Sequence, residues 1–245
     1  MSMNEPRTQF GRSATTTASG AAVDQGLRQY MLGVYNYMAL AVAATGVFSL
    51  MVASNPAMIN LIMGTPLKWV GFAGILGLGW FAPKVIFSGS KIAAHAMFWA
   101  YAALWGLMIA PWLFAFQQAD AAREIYRAFF ITASVFGGLS LWGYTTKRDL
   151  SGWGVFLGMA LMGLLVAIIV NIFVASTLFS LITSMAVVLV IAALTAYETQ
   201  MIKSMYLEGN SAGNERASIF GAFALYGSFV TMFIHILNIL GIMRE

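Results

Sequence analysis

The sequence predicts an all-α polytopic membrane protein of seven transmembrane helices. Of its 245 residues, 60% are hydrophobic and only 9% are charged, against about 25% in a usual soluble domain. A soluble fold of this size would have too few charges to cover its surface. Seven apolar runs long enough to cross a bilayer follow one another, separated by short loops. Lysine and arginine are also unevenly shared between alternate loops, as in a chain threaded through a membrane.

Residues 1–29 are polar, rich in Ser, Thr, Gly and Ala, and contain no apolar stretch of the kind a secretory signal carries. They are expected to form a disordered cytoplasmic tail. Residues 30–245 form the transmembrane domain. The runs are placed at Tyr30–Ala53, Leu67–Pro83, Ala93–Leu113, Tyr126–Tyr144, Trp153–Val174, Leu178–Ile202 and Ala217–Ile242. The second is the shortest, and polar residues interrupt the last. Trp69, Trp112, Trp142, Tyr144 and Trp153 fall near run ends, where amphipathic rings prefer the interface.

Orientation follows from charge. The tail and the second, fourth and sixth loops hold nine basic residues: Arg7, Arg12, Arg28, Lys84, Lys91, Lys147, Arg148, Lys203 and Arg216. The opposite side holds four: Lys68, Arg123, Arg127 and Arg244. The N-terminus is therefore expected in the cytoplasm and the C-terminus outside. The net charge of +4 is dispersed singly between apolar runs, so no nucleic-acid partner is expected. Small residues of the fifth run, Gly154 with Gly158 and then Ala160, Gly163, Ala167 and Asn171, form ridges expected to pack against a neighbouring helix.

Several chemistries are excluded. There is no cysteine, and the only histidines are His95 and His235, so zinc-thiolate and three-histidine sites cannot be built. Neither a metal nor any other cofactor is expected. Gly209–Gly213 matches G-x-S-x-G but lies in a polar loop between spans, away from any hydrolase sheet. Gly77–Ala82 matches a dinucleotide fingerprint inside a span, with no βαβ unit around it. A retinal protein would need a lysine in the last helix, and Ala217–Ile242 has none. No acid and base converge, and no enzymatic activity is expected.

Polar groups inside the spans need explaining, because an ionisable residue there costs roughly 2.5–3.5 kcal/mol on insertion scales. Glu198 is the one acid within a span, five residues before Lys203 and so roughly 7–8 Å inside the helix end. It reads either as a functional group or as an interfacial carboxylate that the helix end leaves wet. On the last run, Ala217, Gly221, Ala224, Ser228, Thr231, His235 and Asn238 share an arc of roughly 100°, opposite Phe220 and Phe223. That face is read as interhelical hydrogen bonding at Asn238. At Ser228 and His235, a pathway lining stays open.

Four segments together resemble the Bax inhibitor-1 family in its bacterial branch. They are Leu27–Met38, Gly143–Leu150, Val170–Phe173 and Thr195–Gln200, and the likeness covers about residues 25 to 243. The resemblance implies six helices wrapped around a central last one, in the bacterial inner membrane. It also implies calcium leak and pH response, protection against cell death in eukaryotes, and restraint of a membrane-bound AAA protease in bacteria. The implied latch is a pair of carboxylates sharing a proton, one on each of the last two helices.

This chain departs at both positions. Glu198 stands where aspartate is usual, and Ser228 in Leu225–Phe229 stands where the second aspartate would be. A hydroxyl can hydrogen-bond Glu198 but cannot act as a second acid. No arginine lies between Arg28 and Arg123 to pair with Glu198 from the second or third span. Calcium takes six to eight oxygen ligands, so tight calcium binding is not expected. Two functions follow: a pH-modulated calcium or cation leak lined by Glu198, Ser228, Thr231, His235 and Asn171, or a non-transporting regulator that binds a membrane partner such as that protease.

Overall fold

The computed structural model describes residues 10–244, with side chains from Gln25 onward. Eight helices follow in order: α1 (Phe10–Ala53), α2 (Pro56–Gly64), α3 (Leu67–Ser88), α4 (Lys91–Gln118), α5 (Ala122–Thr145), α6 (Trp153–Val174), α7 (Thr177–Ser204) and α8 (Ser211–Ile242). All but α2 are long and apolar enough to cross a membrane, with the first span beginning at Gln25. Among the described residues there is no strand.

Three boundaries differ from the sequence reading. Helix α1 reaches back to Phe10, so residues 10–29 are helical where an irregular tail was expected; residues 1–9 lie outside the described residues. Helix α3 passes through Pro83 and ends at Ser88, which brings the shortest run to 22 residues. Proline is tolerated inside a membrane helix because neighbouring groups satisfy the freed backbone. Helix α8 begins at Ser211, inside what reads as a loop. Asn210 caps it by accepting from the Gly213 amide at 2.9 Å, and this cap accounts for the G-x-S-x-G look-alike.

The short α2 has no long apolar run to announce it. Asn55 caps it by accepting from the amides of Ala57 and Met58, Pro56 occupies its first turn, and Ile59 and Ile62 are buried against the bundle. It joins the C-terminal end of α1 to the N-terminal end of α3.

Helix α8 is the axis of the bundle. Fifteen of its residues are buried, on all sides of the helix, and α1, α3, α4, α5 and α7 pack directly on it. Helix α6 leans on α7 and meets α8 only across a cleft toward the C-terminal end of α8. The last helix is therefore central, with five helices around it and α6 standing behind α7.

Close packing explains two glycines. A Cβ at Gly221 would lie 2.8 Å from Ile202 Cγ2 and 3.2 Å from Val34 Cγ1, so α1, α7 and α8 converge there. A Cβ at Gly143 would collide with the backbone carbonyl of Ala196, so α5 and α7 touch main chain to main chain. The expected ridge on α6 is only partly used. Gly154 packs against the Tyr197 ring, but Gly158 and Gly163 are exposed with no neighbour, because the rest of α6 turns that face toward lipid.

Candidate functional site

Two polar layers cross the bundle between α7 and α8, an inner one nearer the N-terminus of α8 and an outer one nearer its C-terminus. In the inner layer Ser228 donates to Glu198 Oε2 at 2.7 Å. Ser228 is buried and Glu198 is half-buried. Among the described residues no cation pairs with Glu198; the two ion pairs are Lys91–Glu215 and Arg127–Glu124. The carboxylate therefore rests on one hydroxyl donor. A missing side chain at Gly227 leaves room beside it for the Tyr101 ring, whose hydroxyl would lie 3.2 Å from an added Cβ.

The residues flanking Glu198 fix its helix. Thr195 and Thr199 donate to the carbonyls of Ile191 and Thr195, each at 2.8 Å, which satisfies both hydroxyls within α7. Thr199 also shares a 2.8 Å hydrogen bond with Ser140 of α5, and Ser140 shares another with Tyr35 of α1. Gln200 clasps the α5–α6 loop: its Nε2 donates to the Arg148 carbonyl at 2.8 Å and its Oε1 accepts from the Leu150 amide at 2.7 Å. Lys203 donates to the Tyr144 carbonyl at 2.9 Å and sits 4.7 Å from the centre of that ring. The stretch Thr195–Lys203 thus carries one acid, Glu198, beside threonine, glutamine and lysine side chains that are hydrogen-bonded.

The outer layer lies two helical turns further along α8, about 10 Å from Ser228. His235 Nδ1 is 3.1 Å from Ser184 Oγ, and Asn238 Nδ2 donates to both Ser180 and Ser184 at 3.0 and 2.8 Å. These groups border a cleft of about 130 Å³ that also takes in Asn171, Thr183 and Trp112. Asn171 Oδ1 accepts from the Ser176 amide at 3.2 Å, closing the tight α6–α7 turn. Ala175 in that turn adopts φ +51°.

The five site residues read from sequence therefore separate. Glu198 and Ser228 form one contact, His235 and Asn171 line the outer cleft, and Thr231 stands between the layers on α8 without joining either. The plain hydrogen-bonding reading of Asn238 holds. Ser180 and Ser184 were missed; their signal was a polar stripe on α7 with Thr177 at spacings of three and four. Phe223, placed opposite the polar face by the helical arc, is buried and stacks on Tyr101 with ring centres 4.4 Å apart. The arc found one polar face correctly, but α8 has no lipid face for its large residues.

The arrangement can exchange a proton or a hydrogen bond at Glu198, and it can hold water or a small polar solute in the cleft. Among the described residues, no three His, Cys, Asp or Glu side chains come together to hold a metal. Hydroxyls and amides make up the remaining polar groups of both layers.

Residues 27–245 match the family model described as "Inhibitor of apoptosis-promoting Bax1". An uncharacterized protein of Rickettsia prowazekii is 37% identical over 96% of this chain and 99% of its own length. One of Caulobacter vibrioides is 35% identical over 99% of this chain and all of its own length. The inner membrane protein YbhL of Escherichia coli is 34% identical over 88% of this chain and 92% of its own. With a seven-span helical bundle, a central last helix and a family match over nearly its whole length, the chain belongs to the Bax inhibitor-1 family.

Proposed function

We propose that this protein is a pH-modulated leak for calcium or other cations across the bacterial inner membrane, with its N-terminus in the cytoplasm. The observation that carries the reading is the 2.7 Å hydrogen bond from Ser228 to Glu198. It ties the central helix to α7 through the one acid of α7. A carboxylate without a cationic partner is the group there whose charge a proton can change. Protonation removes an acceptor charge from the α7–α8 contact and alters its strength. The Gln200 clasp transmits any movement of α7 to the α5–α6 loop. The outer cleft supplies a polar approach from the other side.

The test is calcium flux into liposomes holding a calcium-reporting dye, across about pH 5–8. Glu198→Gln mimics the protonated acid and is expected to leave a flux that no longer responds to pH. Ser228→Asp restores a carboxylate pair and is expected to increase both pH sensitivity and calcium block. Flux no greater than that of empty liposomes, for the parent and for Ser228→Asp, overturns the leak reading. Reporter fusions at Arg12 and after Glu245 are expected on opposite sides, and two cytoplasmic signals would overturn the orientation.

A second reading has its own support: the outer cleft does not include Glu198. On that reading the protein carries no flux and regulates a membrane partner such as a membrane-bound AAA protease. Co-purification of such a protease with a flux-inactive parent is the expected outcome.

A further inference from the structure

Helices α6 and α7 enclose a groove of about 400 Å³. Trp153, Phe156 and Leu157 line it from α6, and Leu189, Val190 and Ala193 from α7. Its walls are almost entirely carbon, so water gains nothing by entering. Trp153, Phe156 and Leu189 stay exposed on its rim while Leu157 is buried at its floor. The groove begins at the first turn of α6, directly beside the α5–α6 loop.

That loop is held in one shape. Gln200 fixes the Arg148 carbonyl and the Leu150 amide, the Arg148 amide donates to Thr146 Oγ1 at 3.2 Å, and the Ser151 amide donates to Asp149 Oδ1 at 2.9 Å. Lys147 and Arg148 are exposed on it, and among the described residues neither forms an ion pair. The one acid of the loop, Asp149, is engaged by Ser151. Two exposed cations, in no ion pair among the described residues, therefore stand on the braced loop that leads into the apolar groove at Gly152 and Trp153. Lysines and arginines beside a membrane span attract acidic lipid headgroups.

We infer that the α6–α7 groove is a binding site for one anionic phospholipid. Its phosphate-bearing headgroup pairs with Lys147 and Arg148, one acyl chain lies along the groove, and Trp153 stands at the level of the glycerol. Charge complementarity selects the headgroup, and the apolar walls accept any chain. This site is separate from Glu198 and does not depend on whether the protein carries a flux.

Native mass spectrometry of the full chain in detergent tests this, with phosphatidylglycerol and phosphatidylcholine of matched chains as probes. The parent is expected to retain one phosphatidylglycerol at concentrations where phosphatidylcholine is lost. Lys147→Gln with Arg148→Gln should weaken that retention at least about tenfold. Arg28→Gln with Lys84→Gln removes the same charge from exposed positions on α1 and α3 and should leave retention unchanged. Ala193→Phe fills the groove and should reduce retention of either lipid. If that variant folds poorly, lipids with brominated chains give the readout instead: quenching in the parent should drop when Trp153→Phe removes the reporter. Equal retention of the two lipids overturns the proposal. So does equal loss in both charge-removed pairs, which would reduce the effect to general attraction.

Discussion

Helix α6 is the most apolar of the seven spans, yet it buries a single residue, Leu157. Helix α8 carries Ser228, Thr231, His235 and Asn238 and buries fifteen. In water the order would be reversed. In a bilayer, lipid chains are as apolar as leucine, and no hydrophobic force draws the greasiest helix inward. Close packing and hydrogen bonds decide instead, so the helix with glycines, hydroxyls and amides takes the centre. The same rule explains the unequal glycines. Gly143 lies where two backbones meet and Gly221 where side chains of two other helices close on it, whereas Gly158 and Gly163 face outward.

The largest expected effect separates these two classes. Gly221→Leu drives a side chain into Ile202 and Val34 and should cost about 3 kcal/mol, at the upper end of overpacking costs. It should be seen as a lower melting temperature and folded yield in detergent. Gly158→Leu should stay within about 0.5 kcal/mol of the parent. Equal losses would mean that α6 is packed on a surface absent here, and the contrast between the helices would break.

Phe223→Leu comes next. The ring is buried against Tyr101, so its loss should cost about 1–2 kcal/mol in the same melting assay. No cost would return that face of α8 to lipid. Tyr226→Phe sharpens the comparison at smaller scale. Its hydroxyl shares a 2.7 Å hydrogen bond with Thr45, deep between α1 and α8. Thr45 keeps the Ala102 carbonyl as a second partner at 3.2 Å. The expected loss is about 0.6 kcal/mol, the average for such bonds in membranes.

The smallest effect is expected at the entry to α6. The Ser151 backbone amide, with its side chain, holds the Asp149 carboxyl below the usual carboxylate range. A depressed folded-state value makes the contribution fully present above the ordinary carboxylate range and lost as pH falls through the lower value. Asp149→Asn should therefore melt slightly below the parent at neutral pH, with the difference vanishing in acid. A difference that grows in acid would reverse the assignment.

The spans are legible in the sequence because each is a local property: about twenty apolar residues declare themselves without reference to anything else. Glu198 and Ser228 are legible too, though their contact could be read only through the order of the family's segments. What is not legible depends on distant partners. Nothing near Gln200 shows that its amide will hold Arg148 and Leu150, fifty residues away in the chain. Nothing beside Gly158 distinguishes it from Gly154, since a ridge of small residues looks the same facing a helix or facing lipid. The tail shows a further limit, because polar composition pointed to disorder where the helix runs on to Phe10.

The central position of α8 also has a consequence for how the protein is made. The ribosome delivers the core of this bundle last. Until residue 242 has emerged, α1, α3, α4, α5 and α7 surround a space that nothing fills, with Thr45 lacking Tyr226 and Glu198 lacking Ser228. The first six spans must stay loosely associated in the membrane, open enough at one side to admit a seventh. A chain stopped before Ser211 is an incomplete ring whose inner polar groups lack the partners that α8 supplies.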